Sequence, residues 1–203
     1  MKMHSYIADT EYAVRSLVEA LAVDRTELQK SLDEQRAALD QEAYFDLAFL
    51  QRQMHPSANY WYGQLMEAQG QRNALDSEIA RLEAKILDKK FSLSALAGAL
   101  LQIAKQGISV VRRHPDSCPD GRLIFGVPIK RIIWASRNQS LHFEEPKKID
   151  SVTEEIFQAM ARDGGPKEFA DPKSGINLAL LVVENLDWFS FERYRDDMIS
   201  LLG

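Results

Sequence analysis

Between residues 61 and 86, apolar side chains recur as Trp61, Leu65, Ala68, Leu75, Ile79, Leu82 and Ile86. The gaps run four, three, seven, four, three and four, and Arg72 stands at the position that the seven skips. A repeat of threes and fours keeps one stripe of a helix turned toward a partner helix, so this stretch reads as one half of a coiled-coil-like pair. Upstream, Leu28, Leu32, Leu39, Leu47 and Leu50 follow Asp24, a residue suited to an N-cap. His55–Pro56 between the two runs reads as the turn of a long antiparallel helical hairpin. Its seam is read as structural. Its tip, "NYWYG", carries more aromatic surface than a turn needs, which makes it a candidate contact for a partner or a stacked base. Ahead of the hairpin, "YIADTEYAVRSLVEALAV" places Ile7, Val14, Leu17, Val18 and Leu21 near one helical face.

The second half is helical in shorter pieces. "SLSALAGALLQIAKQGISVVRRH" opens on a capping serine and closes on a basic turn that complements the helix dipole. A loop rich in Pro, Gly and Asp follows, "PDSCPDGRLIFGV". The next helix is expected from Pro128 to about Glu145, ahead of Pro146. "SVTEEIFQAMARDGG" reads as a short helix opened by Ser151 or Thr153 and closed by Gly164–Gly165. "ALLVVEN" has the composition of a strand, but nothing else in this half offers it a partner. The chain therefore reads as all-α. Residues 1–90 hold the first helix and the hairpin, and residues 91–203 hold a helical core that the first helix is a candidate to join.

Composition narrows the setting. At 203 residues, with 45% apolar and 27% charged residues, the chain can bury a core and keep a soluble surface. Cys118 is the single cysteine, so an internal disulfide and a cysteine-based metal cluster are excluded and a reducing compartment is expected. The first residues lack the apolar core of a signal peptide, and "LSALAGALLQIA" is too short a run to span a bilayer. The expectation is a cytoplasmic protein without a membrane partner. The net charge of −5 is unevenly placed: residues 105–148 carry nine bases against four acids. Such a segment can draw a phosphate backbone to one place without coating the whole protein in nucleic acid. Arg112, Arg113, Lys130 and Arg131 are its candidate RNA contacts, and ordinary solvated lysines and arginines are the plainer account.

Within that segment lies "WASRNQSLHFEE". At about 100° per residue, Ile129, Ile132, Ile133, Ser136 and Ser140 turn inward, and the two serines allow a second helix to approach closely. Asn138 and His142 are four apart on one face, where the amide is a candidate to orient the imidazole. Arg137 lies about 140° from His142, so the pair flanks a groove rather than forming an intrahelical contact. An imidazole with a pKa near about 6.5 can exchange a proton with a ribose oxygen at neutral pH. A guanidinium grips phosphate oxygens through parallel hydrogen bonds and stabilises charge as it builds. The 2′-hydroxyl of RNA supplies the nucleophile, so this chemistry needs neither a metal nor a nucleophilic side chain.

"RNQSLH" resembles the Arg-x4–6-His motif of the HEPN superfamily, and "GVPIKRIIWASRNQSLHFEE" resembles its motif helix more broadly. The resemblance covers residues 91–203 and does not reach the hairpin. It implies an all-α bundle, a symmetric homodimer that joins two Arg–His pairs, and metal-independent endoribonuclease activity in toxin–antitoxin, abortive-infection or antiviral systems. On it, Arg137 is the phosphate-binding arginine, Asn138 its polar companion and His142 the catalytic histidine. RNA and an antitoxin or defence-system protein are the implied partners, with no cofactor. The competing reading is a non-catalytic helical module that dimerises through this helix and recruits a protein or nucleic acid.

The remaining candidates read as structural. His4 falls at a terminus, His55 in a turn and His114 after a helix end, where it suits the dipole. Trp134 is read as packing, Trp188 with Phe189 and Phe191 as a sealing cluster, and Cys118 as an incidental loop thiol.

Overall fold

The structure is a computed structural model that describes the backbone of residues 5–53 and 58–203 and the side-chain surroundings of 5–44 and 69–203. Its described residues are predominantly helical: α1 (Ser5–Gln53), α2 (Ala58–Arg112), α3 (Ile129–His142), α4 (Ser151–Arg162), α5 (Ala179–Leu186) and α6 (Phe191–Leu202). The chain divides into two compact units, residues 1–23 with 92–203, and residues 24–91. The His55–Pro56 turn, the side chains of Leu47, Leu50, Trp61, Leu65 and Ala68 and of the aromatic tip at 59–63, and His4 lie outside the described residues.

Asp24 and Ser92, both expected to cap helices, lie inside α1 and α2. No proline or glycine stands beside either residue to break the helix, so neither is needed to start one. Asp24 instead pairs with Lys89 at 2.8 Å, and Glu27 meets the same ammonium at 2.6 Å.

Within residues 24–91 the expected seam is present on α2: Ile79, Leu82 and Ile86 are buried, Leu75 packs against them, and Arg72 is half-buried at the skipped position. Facing it on α1 are Ser31 and Ala38, both buried, whereas Leu39 is 45% exposed. Positions 24, 28, 31, 35 and 38 keep the alternation of threes and fours that the leucine series only approximates. Small side chains at 31 and 38 let the paired backbones come close. The pairing of residue 89 with 24 and 27, and of 79 and 82 with 38, makes the two helices antiparallel.

The other unit is built around inward rows from every helix that enters it. Ile7, Val14, Val18 and Leu21 come from α1, and Leu93, Ala97, Leu100, Leu101, Ala104 and Ile108 from α2. Tyr6 lies over α2, donating to the Ile103 carbonyl at 2.8 Å. Gly107 is required beneath it, since a Cβ there would stand 2.7 Å from the Tyr6 ring. By length and composition α2 also holds one stretch apolar enough to cross a membrane, with a mean hydropathy of 1.3, where the short apolar run alone suggests none. Its inward residues are the core residues just named.

One local element agrees with the all-α expectation and one departs from it. "ALLVVEN" is helical, as α5. The loop before α3 contains a small hairpin, β1 (Leu123–Ile124) and β2 (Val127–Pro128), with Leu123 opposite Pro128 and Ile124 opposite Val127. Phe125 and Gly126 both take positive φ, 46° and 70°, which is the tight turn that matches strand twist. Strands of two residues show no alternation, so the sequence gives no sign of them.

One buried charge network locks the end of the chain. Asp197 is 5% exposed. It accepts from Arg122 Nε at 2.7 Å and Nη2 at 2.9 Å, and from Trp188 Nε1 at 2.7 Å. The expected sealing role of Trp188 is met by full burial and edge-on contact with Tyr194. Replacing Asp197 with alanine leaves a guanidinium and an indole N–H without their acceptor. Urea unfolding of Asp197→Ala should show a loss of about 3–5 kcal/mol.

Candidate functional site

The apolar face of α3 is as expected: Ile129, Ile132, Ile133 and Ser136 are buried. Ser140 is partly buried and faces Gly98 of α2, where a Cβ would come within 3.8 Å of its hydroxyl. The small serines do admit a close helix. Pro128 stands at the N-cap, one residue before the first helical turn. The helix ends at His142 rather than Glu145, because the residue before a proline is driven out of the helical region; Glu145 has φ −122° and ψ 70°.

The motif residues of α3 reach three different parts of the unit. Arg137 donates through Nε to the Gln102 side chain of α2. The Asn138 amide donates to Asp150 Oδ2 and Thr153 Oγ1, both at 3.0 Å. Asp150 caps α4, taking the Thr153 N–H at 2.6 Å, so neither Ser151 nor Thr153 is the cap. Asn138 thus clamps the start of α4 and does not orient His142. Gln139, fully buried, donates to the Pro172 carbonyl at 3.1 Å and the Ile176 carbonyl at 2.7 Å. Its own oxygen accepts the Leu178 N–H at 3.0 Å. Sequence reasoning passes over Gln139, since nothing in the helix pattern reveals a loop that is 33 or more positions away.

His142 is half-buried at the end of α3, and its Nδ1 is buried with no hydrogen-bond partner. Its carbonyl accepts the Glu145 N–H at 2.8 Å. Lys148, bonded to Glu145, holds that carboxyl below its usual range, and His142 adds a smaller push in the same direction. Leu141, beside it on α3, is 55% exposed.

The basic segment is largely answered from within. Arg112 donates to the Leu202 carbonyl at 2.8 Å and the Leu201 carbonyl at 3.3 Å, capping the end of α6. Lys130 is buried, with Nζ 2.8 Å from both the Cys118 carbonyl and Asp120. Arg122 binds Asp197 and Lys148 binds Glu145. Of the four candidate RNA contacts, Arg112 and Lys130 are therefore structural, while Arg113 and Arg131 remain exposed. A charge count assigns no partners, and these partners lie up to 90 positions away in the chain.

Trp134 packs as expected but stays half-exposed, with Lys105 Nζ 4.5 Å from its ring centre and the His114 ring 5.5 Å away. His114 lies past the end of α2 and caps a 3-10 turn, with Nδ1 3.3 Å from the Asp116 carboxylate. Cys118 is buried, and burial pushes its thiol pKa up, as suits an inert thiol. Among the described residues no group of three or more His, Cys, Asp and Glu side chains converges as a metal site would. Compared with known proteins, the chain gives no significant match to any family model, curated protein or solved structure.

The two neighbouring arginines should behave differently. Arg112→Glu removes two bonds to α6 carbonyls and sets a negative charge against that helix's negative end, so thermal melts should show a loss of about 1–3 kcal/mol. Arg113→Glu, on the surface, should stay within about 0.5 kcal/mol of the parent.

Proposed function

We propose that this chain is a metal-independent endoribonuclease of the HEPN type, acting through Arg137 and His142 at a cleft shared by two copies. The observation that carries the reading is the buried, unpartnered Nδ1 of His142. A buried ring nitrogen without a partner costs about 1–3 kcal/mol, and such groups are few in folded proteins. The rest of the imidazole is only half-buried, and it is there that a substrate or a second copy of α3 would meet it. His142 shares its helix with Arg137, and that guanidinium has committed one of its five N–H donors to Gln102. The Gln102 contact orients the arginine, and the terminal nitrogens are left to grip a phosphate.

In the proposed reaction one imidazole takes the proton of a ribose 2′-hydroxyl. The 2′-oxygen attacks the adjacent phosphorus, the bond to the 5′-oxygen breaks, and a protonated imidazole returns a proton to that leaving oxygen. Arg137 stabilises the charge building on the phosphoryl oxygens. Two-fold packing of α3 doubles one pair into the two imidazoles this requires. On the resemblance, the setting is a toxin–antitoxin or antiviral defence system in the cytoplasm, with RNA, a second copy and an antitoxin or defence-system protein as partners and no cofactor.

The alternative, a non-catalytic helical module, is favoured by one observation: the Arg137–Gln102 bond also serves plain helix packing. RNA cleavage in EDTA separates the two. His142→Ala should abolish cleavage and Arg137→Lys should remove most of it, with either variant losing less than about 1 kcal/mol of stability. Cleavage that persists while stability falls by several kcal/mol would give the case to the alternative. The shared cleft has its own check. Leu141→Cys should form an intermolecular disulfide, because α3 faces its mate, and the native Cys118 is too buried to compete; a variant that stays monomeric under oxidation counts against the dimer.

A further inference from the structure

The N-terminal half of α3 borders a cavity of about 460 Å³, formed with the loop after α2 and the start of α4. That volume lies within the roughly 300–1,000 Å³ of small-molecule clefts. Its walls include the rings of His114 and Trp134, the guanidinium of Arg131 and the carboxylates of Asp116, Asp150 and Glu155. Not all of these groups are available. Both Asp150 oxygens are occupied, one by the Thr153 N–H and one by Asn138, so Asp150 shapes the wall. Arg131 makes only a 3.8 Å approach to Asp116, and Glu155 has no hydrogen-bond or ion-pair partner among the described residues.

This lining selects its ligand. One guanidinium faces three carboxylates, so a neutral, donor-rich group is favoured inside the cavity and a nucleotide's phosphate would stay outside it. The His114 and Trp134 rings are tilted 54° to each other and Lys105 already lies over Trp134, so a flat heterocycle can stack on one ring at a time. Of the four RNA bases, guanine presents adjacent N1–H and N2–H donors that suit the Glu155 carboxylate, and O6 and N7 acceptors that suit the Arg131 fork. Adenine has no N1–H and carries a donor where O6 would be. Cytosine offers a single amino donor, and uracil has no N7 edge.

We propose that this cavity is a guanine-binding subsite for an unpaired nucleotide. As a subsite for RNA substrate it rests on the ribonuclease reading, and Asn138 ties its wall directly to the motif helix. The base pocket thus sits on the same rigid element as the proposed cleavage pair.

The test uses the full chain and guanosine monophosphate carrying a dye on its ribose, followed by fluorescence anisotropy and displaced in turn by unlabelled GMP, AMP, CMP and UMP. GMP should displace the probe at concentrations at least about tenfold lower than the other three, given about 1–3 kcal/mol for a matched two-pronged contact. Glu155→Gln, an exposed substitution, should erase that preference, and Arg131→Ala should weaken GMP by a similar factor; melting curves verify that both variants fold. No saturable binding of the probe, equal displacement by all four nucleotides, or an undiminished preference in Glu155→Gln overturns the proposal. Guanine preference in a chain that cuts no RNA would leave the subsite standing and remove the ribonuclease reading. Cleavage with no guanine preference would do the reverse.

Discussion

The buried amide of Gln139 sets the arrangement of the globular unit. A side-chain amide with no access to water has to find its partners inside, and Gln139 finds them in two carbonyls and one N–H of the segment 172–178. That segment is thereby bound to α3. Its neighbours act likewise: Arg137 ties α3 to α2, and Asn138 ties it to the cap of α4. Three consecutive residues join one helix to three other parts of the unit. The apolar face of α3 supplies burial, and this polar edge decides which element lies where. A helix held from three directions keeps a fixed geometry, and the proposed site requires that of the element carrying Arg137 and His142.

Charge behaves differently in space than along the chain. The excess of bases between residues 105 and 148 suggests a phosphate-binding stripe. Folding brings α6 carbonyls to Arg112, Asp197 to Arg122, and Asp120 with the Cys118 carbonyl to Lys130. Those cations now stabilise the fold, and of the four basic residues first singled out only Arg113 and Arg131 stay exposed. The same folding places the carboxylates of Asp116, Asp150 and Glu155 around one cavity with Arg131 and Trp134.

Most of the secondary structure was legible in the sequence, and the errors have specific causes. The seam over Leu75, Ile79, Leu82 and Ile86 was readable because a heptad records its partner in its own spacing. On α1 the eye follows the leucines, yet Ser31 and Ala38 occupy the seam, since close backbones there need small residues. Asp24 and Ser92 resemble caps but continue helices, because capping chemistry matters only where a helix has reason to begin. In the candidate site, Arg137 and His142 are singled out by the resemblance of their motif, which spacing alone does not carry. The roles of Asn138, Gln139 and Lys130 could not, since each is defined by an acceptor on another element.

The sequence by itself determined the periodic features: a predominantly helical chain, a heptad seam, the inward face of α3 and the stop imposed by Pro146. Periodicity and proline geometry are local, so they can be read from neighbours along the chain. Tertiary structure alone decided which polar groups are committed to the fold and which are left over. Hydrogen bonds and ion pairs form between residues that are dozens of positions apart, and the orphaned Nδ1 of His142 emerges only once those pairings are complete.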